Sequence, residues 1–363
     1  MDPFKNQTSR FLLIAIASVM LRSPSTSASE PAPRTYRNVL TVIEDPAPLL
    51  ADHPEYVQPI DDVRRYEAPI LVDDEQADLS VRAWRYSYNA RGIIEIPNRI
   101  ESAKTAVIMV HPWGIDDGQG WDTPQPAGVA FGCTPEKNAR FLKHAAEIVN
   151  PMIRRLRDRV GLVLYSLPGE ADPIRTSLYR SLDRTPTKPQ REEARRMLDQ
   201  TLASFDYTGA DLPEEITLES DRPVVDYFRK FPGLDASARY NNDGFWSLPI
   251  PVMNSIDVAE SDVVFYDLQG YERLREFLLG QGIEHVLLCG YATDMCVCST
   301  AAGYQNLRKD FNVFVVGDAT QATFPSNRTA AYATNQALSY AALNQLITQV
   351  SWIRELDGAD APE

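Results

Sequence analysis

Five short apolar runs constrain this chain more than any other feature: TAVIMV (105–110), GLVLYSL (161–167), DVVFYDL (262–268), HVLLCGY (285–291) and NVFVVGDA (312–319). Each is too short for a buried helix, is rich in Val and Leu, and lacks the alternation of a half-solvated strand. Such runs fit strands covered on both faces, as in a parallel sheet. The segments between them have helical character. One begins near Pro135. A second is read with Asn150 as N-cap and Pro151 at the first helical position, and carries Met152, Ile153 and Leu156. YERLREFLLGQG (271–282) stops at a glycine, and TDMCVCSTAAGYQNL (293–307) is expected as one helix. A long closing helix over 326–347 has Ser326 as its cap. Strands alternating with helices join by right-handed crossovers and give an α/β fold with a parallel sheet.

Other regions surround this core. Lys5 and Arg10 precede the apolar run Phe11 to Leu21, and small residues SPSTSAS follow. The run is too short to span a bilayer, and the order of features is that of a signal peptide over 1–29. A secreted or periplasmic protein is the expectation. Residues 30–100 read as an N-terminal arm, Pro- and acid-rich at first. Strand-like alternation follows at 78–98, as a small β-unit or as an edge of the main sheet. The main domain is placed at 101–352, with an elaborated insertion at 170–248 and a tail at 353–363. The formal charge of −14 disfavours a nucleic-acid partner, and no later run is long enough for a membrane helix.

The clearest chemical signal is HVLLCGYATDMCVCSTA (285–301). A buried strand stops at Gly290, the chain turns through Tyr291, Ala292 and Thr293, and Cys296 falls in the first helical turn. Backbone N–H groups at such an elbow favour a thiolate and can hold an oxyanion. The alternative is that Cys296 only packs, as small apolar thiols commonly do. Cys289, inside the strand, and Cys298, on another side of the helix, read as structural.

On G-Y-A-T-D-M-C-V-C-S-T-A (290–301), with the strands at 105–110 and 313–319, the chain resembles the isochorismatase-like cysteine hydrolases. These include nicotinamidases and N-carbamoyl amidohydrolases. The resemblance implies a three-layer α/β/α sandwich around a Rossmann-like parallel sheet, a nucleophile at Cys296, and hydrolysis of a small amide-like C–N bond. It further implies a cis peptide at Tyr291–Ala292 and an oxyanion hole from the N–H groups of Ala292 and Cys296. The family's triad is Asp–Lys–Cys. Here His111 stands at the Asp position, and DVVFYDLQG (262–270) contains no lysine where the family has one.

His111 is then the candidate base, its ring oriented by Asp116 or Asp117. Trp113, Asp116, Tyr266 and Asp267 are candidates for the surrounding pocket. An arginine of the insertion, or Lys230, would have to replace the family lysine. The metal-binding Asp-x-His spacing of nicotinamidases does not occur, so neither a metal nor another cofactor is expected. The expected partner is a small-molecule substrate or ligand, and the relatives imply a homo-oligomer. The rival reading is a non-catalytic relative that binds a small ligand or a protein partner.

Overall fold

The computed structural model describes residues 33–57, 59–61, 64–114, 135–204, 215, 217–224, 248–322 and 349–355. The chain divides into Met1–Arg37 and Asn38–Glu363, and the second unit carries the fold. Residues 1–29, the closing helix at 326–347, Asp116, Asp117 and Lys230 lie outside the described residues.

Among the described residues ten strands form one sheet. They are β1 (Thr41–Val42), β2 (Arg65–Glu67), β3 (Leu79–Ser87), β4 (Gly92–Ile100), β5 (Thr105–Val110), β6 (Leu162–Leu167), β7 (Val263–Tyr266), β8 (His285–Tyr291), β9 (Asn312–Gln321) and β10 (Gln349–Glu355). Their order is β1-β2-β4-β3-β10-β9-β8-β5-β6-β7. The five apolar runs are β5 to β9, and β9, β8, β5, β6 and β7 lie side by side with parallel registers. All residues of β5, β6, β7 and β8 are buried, which is why these strands show no alternation.

Alternate residues of each strand feed two cores. Val107 and Met109 of β5 pack in one, with Met152, Ile153 and Leu156. Ala106, Ile108 and Val110 pack in the other, with Leu274, Leu278 and Leu307. The helices therefore cover both faces, giving three layers. On the first face lie α1 (Pro135–His144), α2 (Asn150–Arg157), α3 (Arg175–Leu178) and α4 (Lys188–Ser204); on the second, α5 (Tyr271–Gly280). The 78–98 segment is the hairpin β3–β4, an extension of the main sheet and not a separate unit. β3 pairs with β10, and β10 pairs with β9. Strand β10 runs to Glu355, into the segment expected as tail.

Two helical expectations need correction. Asn150 does not cap a new helix. A wider π-turn over Ala145–Val149 joins α1 to α2, and Val149 is itself helical at φ −71°, ψ −48°. The Asn150 Oδ1 instead accepts the Asp257 N–H at 3.1 Å. The segment 293–307 is not one helix but two single turns, α6 (Cys296–Ser299) and α7 (Tyr304–Leu307). The Thr300 hydroxyl donates to the Cys296 carbonyl at 3.0 Å, taking the acceptor that a continuing helix would offer to the Thr300 N–H. Gly303 then presses on the broken end, where a Cβ would lie 2.6 Å from the Thr300 nitrogen. Asp318 lies fully buried inside β9.

The strand order fixes where chemistry can occur. From β5 the chain proceeds outward through β6 and β7, then returns to lay β8 and β9 on the other side of β5. The reversal leaves a crevice between the carboxyl ends of β5 and β8, the usual ligand position in open α/β sheets.

Candidate active site

His111 follows β5 and Cys296 follows β8, so the switch point brings together residues 185 positions apart in the chain. β8 ends at the elbow. Gly290 has φ +105°, and a Cβ there would lie 2.3 Å from the Val110 carbonyl oxygen, so only glycine fits at this register. The Tyr291–Ala292 peptide is cis. The Ala292 carbonyl accepts N–H bonds from Met295 at 3.0 Å and Val297 at 3.1 Å, which winds the loop tightly ahead of Cys296. Cys296 and Cys298 are half-buried and Cys289 is fully buried, and all three are free thiols. Because α6 is a single turn, it supplies little of the helix dipole expected from a longer element.

His111 has a left-handed backbone, φ 49°, a conformation costing roughly 1 kcal/mol or more in a non-glycine residue. It is held on both sides. The His111 N–H donates to the Ser166 carbonyl at 2.9 Å, and the Met253 N–H donates to the Pro112 carbonyl at 2.8 Å. Trp113 bridges to Val252 and is 5 % exposed, packed in the core.

Among the described residues, the imidazole meets two side chains. Its Nε2 lies 2.6 Å from Oδ2 of Asp267, the first residue after β7, and the ring also hydrogen-bonds Cys296. Since β6 lies between β5 and β7, the ring reaches across the end of a neighbouring strand to meet this carboxylate. Burial alone would drive the ring toward neutrality. The hydrogen bonds to Asp267 and Cys296 outweigh it, and the ring is pushed up to about 9. Asp267 Oδ1 is buried without a hydrogen-bond partner, leaving an open acceptor beside the ring.

Three residues thus converge: Cys296, His111 and Asp267. The sequence marks the first two, and places Asp267 only among pocket candidates. Its role follows from the end of β7 lying two strands from β5. Relative to the resemblance, an imidazole ends the strand that should end in a carboxylate, and a carboxylate ends the strand that should end in lysine. Tyr266 is not part of the convergence. It is fully buried in the core with Tyr179, with the Arg175 guanidinium 4.7 Å from its ring centre. Arg175, in the insertion, bonds Asp172 and the carbonyls of Ile250 and Glu170, so it does not replace the lysine at this site.

A second buried network braces the elbow, and no sequence motif announces it. His144, at the end of α1, bonds the Asp318 carbonyl through Nε2 at 2.7 Å and the Tyr291 hydroxyl through Nδ1 at 2.7 Å. A carbonyl only accepts, so Nε2 carries the proton, and Nδ1 accepts the Tyr291 O–H. Burial pushes this ring down to about 3, keeping it neutral. The Tyr291 ring stacks on Phe141 at 4.9 Å.

Residues 251–348, which include Asp267, the elbow and Cys296, match the isochorismatase domain. This part of the chain is isochorismatase-like. His111 lies outside the matched stretch. Similar solved structures include a cysteine hydrolase from Pseudomonas syringae pv. phaseolicola 1448A, at 15 % identity over 69 % of this chain and 91 % of that one, with a TM-score of 0.36. Another is a pyrazinamidase of Pyrococcus horikoshii in complex with zinc, at 16 % identity over 69 % and 99 %, TM-score 0.33. A third is a nicotinamidase from Bacillus subtilis, at 13 % over 68 % and 99 %, TM-score 0.30. No curated protein matches the chain. Among the described residues, no helix is long and apolar enough to cross a membrane.

Proposed function

We propose that the protein is a cysteine hydrolase that cleaves a small amide-like C–N bond with a Cys296–His111–Asp267 triad. The observation that carries this reading is the hydrogen-bonded series from Asp267 through His111 to Cys296 at the switch point. Nucleophile, base and orienting carboxylate stand in the relation that nucleophilic catalysis requires. With Asp267 on Nε2, the ring's Nδ1 is left for the sulfur.

His111 takes the proton of the Cys296 thiol. The sulfur attacks the substrate carbonyl carbon, and the new C–S bond places negative charge on the oxygen. The N–H groups of Ala292 and Cys296 receive that charge. His111 delivers its proton to the nitrogen as the C–N bond breaks, and the amine leaves. Water, losing a proton to His111, then attacks the thioester, and the acid departs with return of the sulfur and the ring to their first state. The open Asp267 Oδ1 favours a substrate that presents an N–H donor.

Rate of alkylation by iodoacetamide, with turnover of a panel of small primary amides and N-carbamoyl compounds, tests the reading. The Cys296→Ala chain is expected to lose at least about 10⁴-fold of any hydrolysis found. His111→Ala is expected to slow labelling of Cys296 at least tenfold. If the purified wild-type chain turns over no member of the panel and its Cys296 labels no faster than Cys298, the catalytic reading fails. A ligand-binding relative then remains.

A further inference from the structure

The insertion carries a feature that the triad does not use. In α4, Lys188, Arg191 and Arg195 are spaced by three and four residues, which puts them on one helix face. That face lines a cleft of about 590 Å³, opposite the segment Val252–Glu260. Arg180 is a fourth cation in its wall, against two acids, Glu192 and Glu260. The cleft is therefore net positive in a chain of formal charge −14.

Its cations are incompletely neutralised. Both acids are surface groups: Glu260 lies 3.5 Å from the Arg191 Nη1 and is 79 % exposed, while Glu192 lies 4.0 Å from the Lys188 Nζ and is 67 % exposed. Such pairs are worth little. Arg180 donates to the Ser261 carbonyl at 2.8 Å, and Arg195 meets the Tyr179 phenol. The Arg191 Nε–H is buried and has no hydrogen-bond partner, an unusual state for a guanidinium. A larger cleft of about 850 Å³ near the N-terminal arm also holds arginines, but there Arg65 and Arg82 close on the buried Glu95 and leave no comparable donor. Apart from Tyr179 and Asn254, the remaining wall of the smaller cleft is apolar, with Val252, Ile256 and Val258.

We propose that this cleft binds a small organic anion, its carboxylate or phosphate head on Arg191 and Arg195 and its apolar body against Val252, Ile256 and Val258. Guanidinium forks match both heads, and apolar side chains beside directed donors are an ordinary lining for a small-molecule site. The site is separate from the triad and stands or falls without it.

Calorimetric titration of the full wild-type chain with phenyl phosphate, benzoate and neutral benzyl alcohol tests this. At least one anion is expected to bind with one-to-one stoichiometry and at least tenfold more tightly than the alcohol, weakening as salt is raised. Arg191→Gln is expected to reduce that affinity at least tenfold, and the exposed Lys188→Gln at least twofold. A retained melting temperature shows that Arg191→Gln is folded; if it is not, Lys188→Gln alone decides. Equal affinity for anion and alcohol, or affinity unchanged in the folded variants, overturns the proposal. A result of either kind leaves Cys296 labelling unaffected, so failure here is distinct from failure of the triad.

Discussion

His111 and His144 are both enclosed, at 6 % and 0 % exposure, yet their rings are driven in opposite directions. Burial favours the neutral ring in each. At His111 a carboxylate and a thiol contact the imidazole, and together they hold the proton on it up to about 9. At His144 the contacts are a carbonyl and a phenol, neither of which carries charge, and burial prevails, down to about 3. The pair shows that partners, not depth, set a histidine's chemistry. It also separates a group suited to moving protons from one suited to holding a loop in place.

The largest test of this contrast is the dependence of stability on pH. His144 has a folded value below its ordinary 6.5, so its contribution is complete above about 6.5 and is lost as pH falls toward 3, a loss of about 5 kcal/mol. His111 has a folded value above 6.5. Its contribution is complete below about 6.5 and is lost as pH rises toward 9, about 3 kcal/mol. Urea unfolding across pH 4 to 9 should show His144→Gln flattening the acid limb and His111→Gln the alkaline limb. Identical changes on both limbs would break the comparison.

A smaller effect is expected from Asp267→Asn, which replaces the carboxylate on Nε2 by an amide. Turnover should fall by about 10²-fold, as expected when an orienting acid is removed but nucleophile and base remain. The His111 proton resonance should titrate at least one pH unit lower than in wild type, with His144 unmoved. An unchanged His111 titration would show that Asp267 does not set its state.

The smallest is Tyr291→Phe, which removes the donor to His144 Nδ1 and leaves that acceptor buried and unpaired. Stability should drop by roughly 1–3 kcal/mol in urea unfolding, with turnover changed only a fewfold. A large loss of turnover with stability intact would instead place Tyr291 in the chemistry.

The two histidines also differ in how legible they are. His111 is visible because it ends an apolar strand, where sheet topology puts ligands, and Cys296 because the elbow pattern surrounds it. His144 sits in an ordinary helical segment, and its partners Tyr291 and Asp318 are 147 and 174 residues away. No local pattern encodes such a contact. Asp267 is intermediate: its place after a strand is readable, but its pairing with a ring two strands away is not. The helix expected over 293–307 failed for a local reason, since one threonine hydroxyl took the carbonyl that would have continued it.

The sequence by itself determined the parallel core and the position of the elbow. Uninterrupted apolar runs can be satisfied only by burial on both faces, and Gly290 is required where backbone meets backbone. Tertiary structure alone decided which charged group faces which. Side-chain partners across a sheet depend on strand order and on where each strand ends, and neither is written in the spacing of residues along the chain. The inverted arrangement, imidazole at the end of β5 and carboxylate at the end of β7, became a hydrogen-bonded pair only because β6 is the one strand between them.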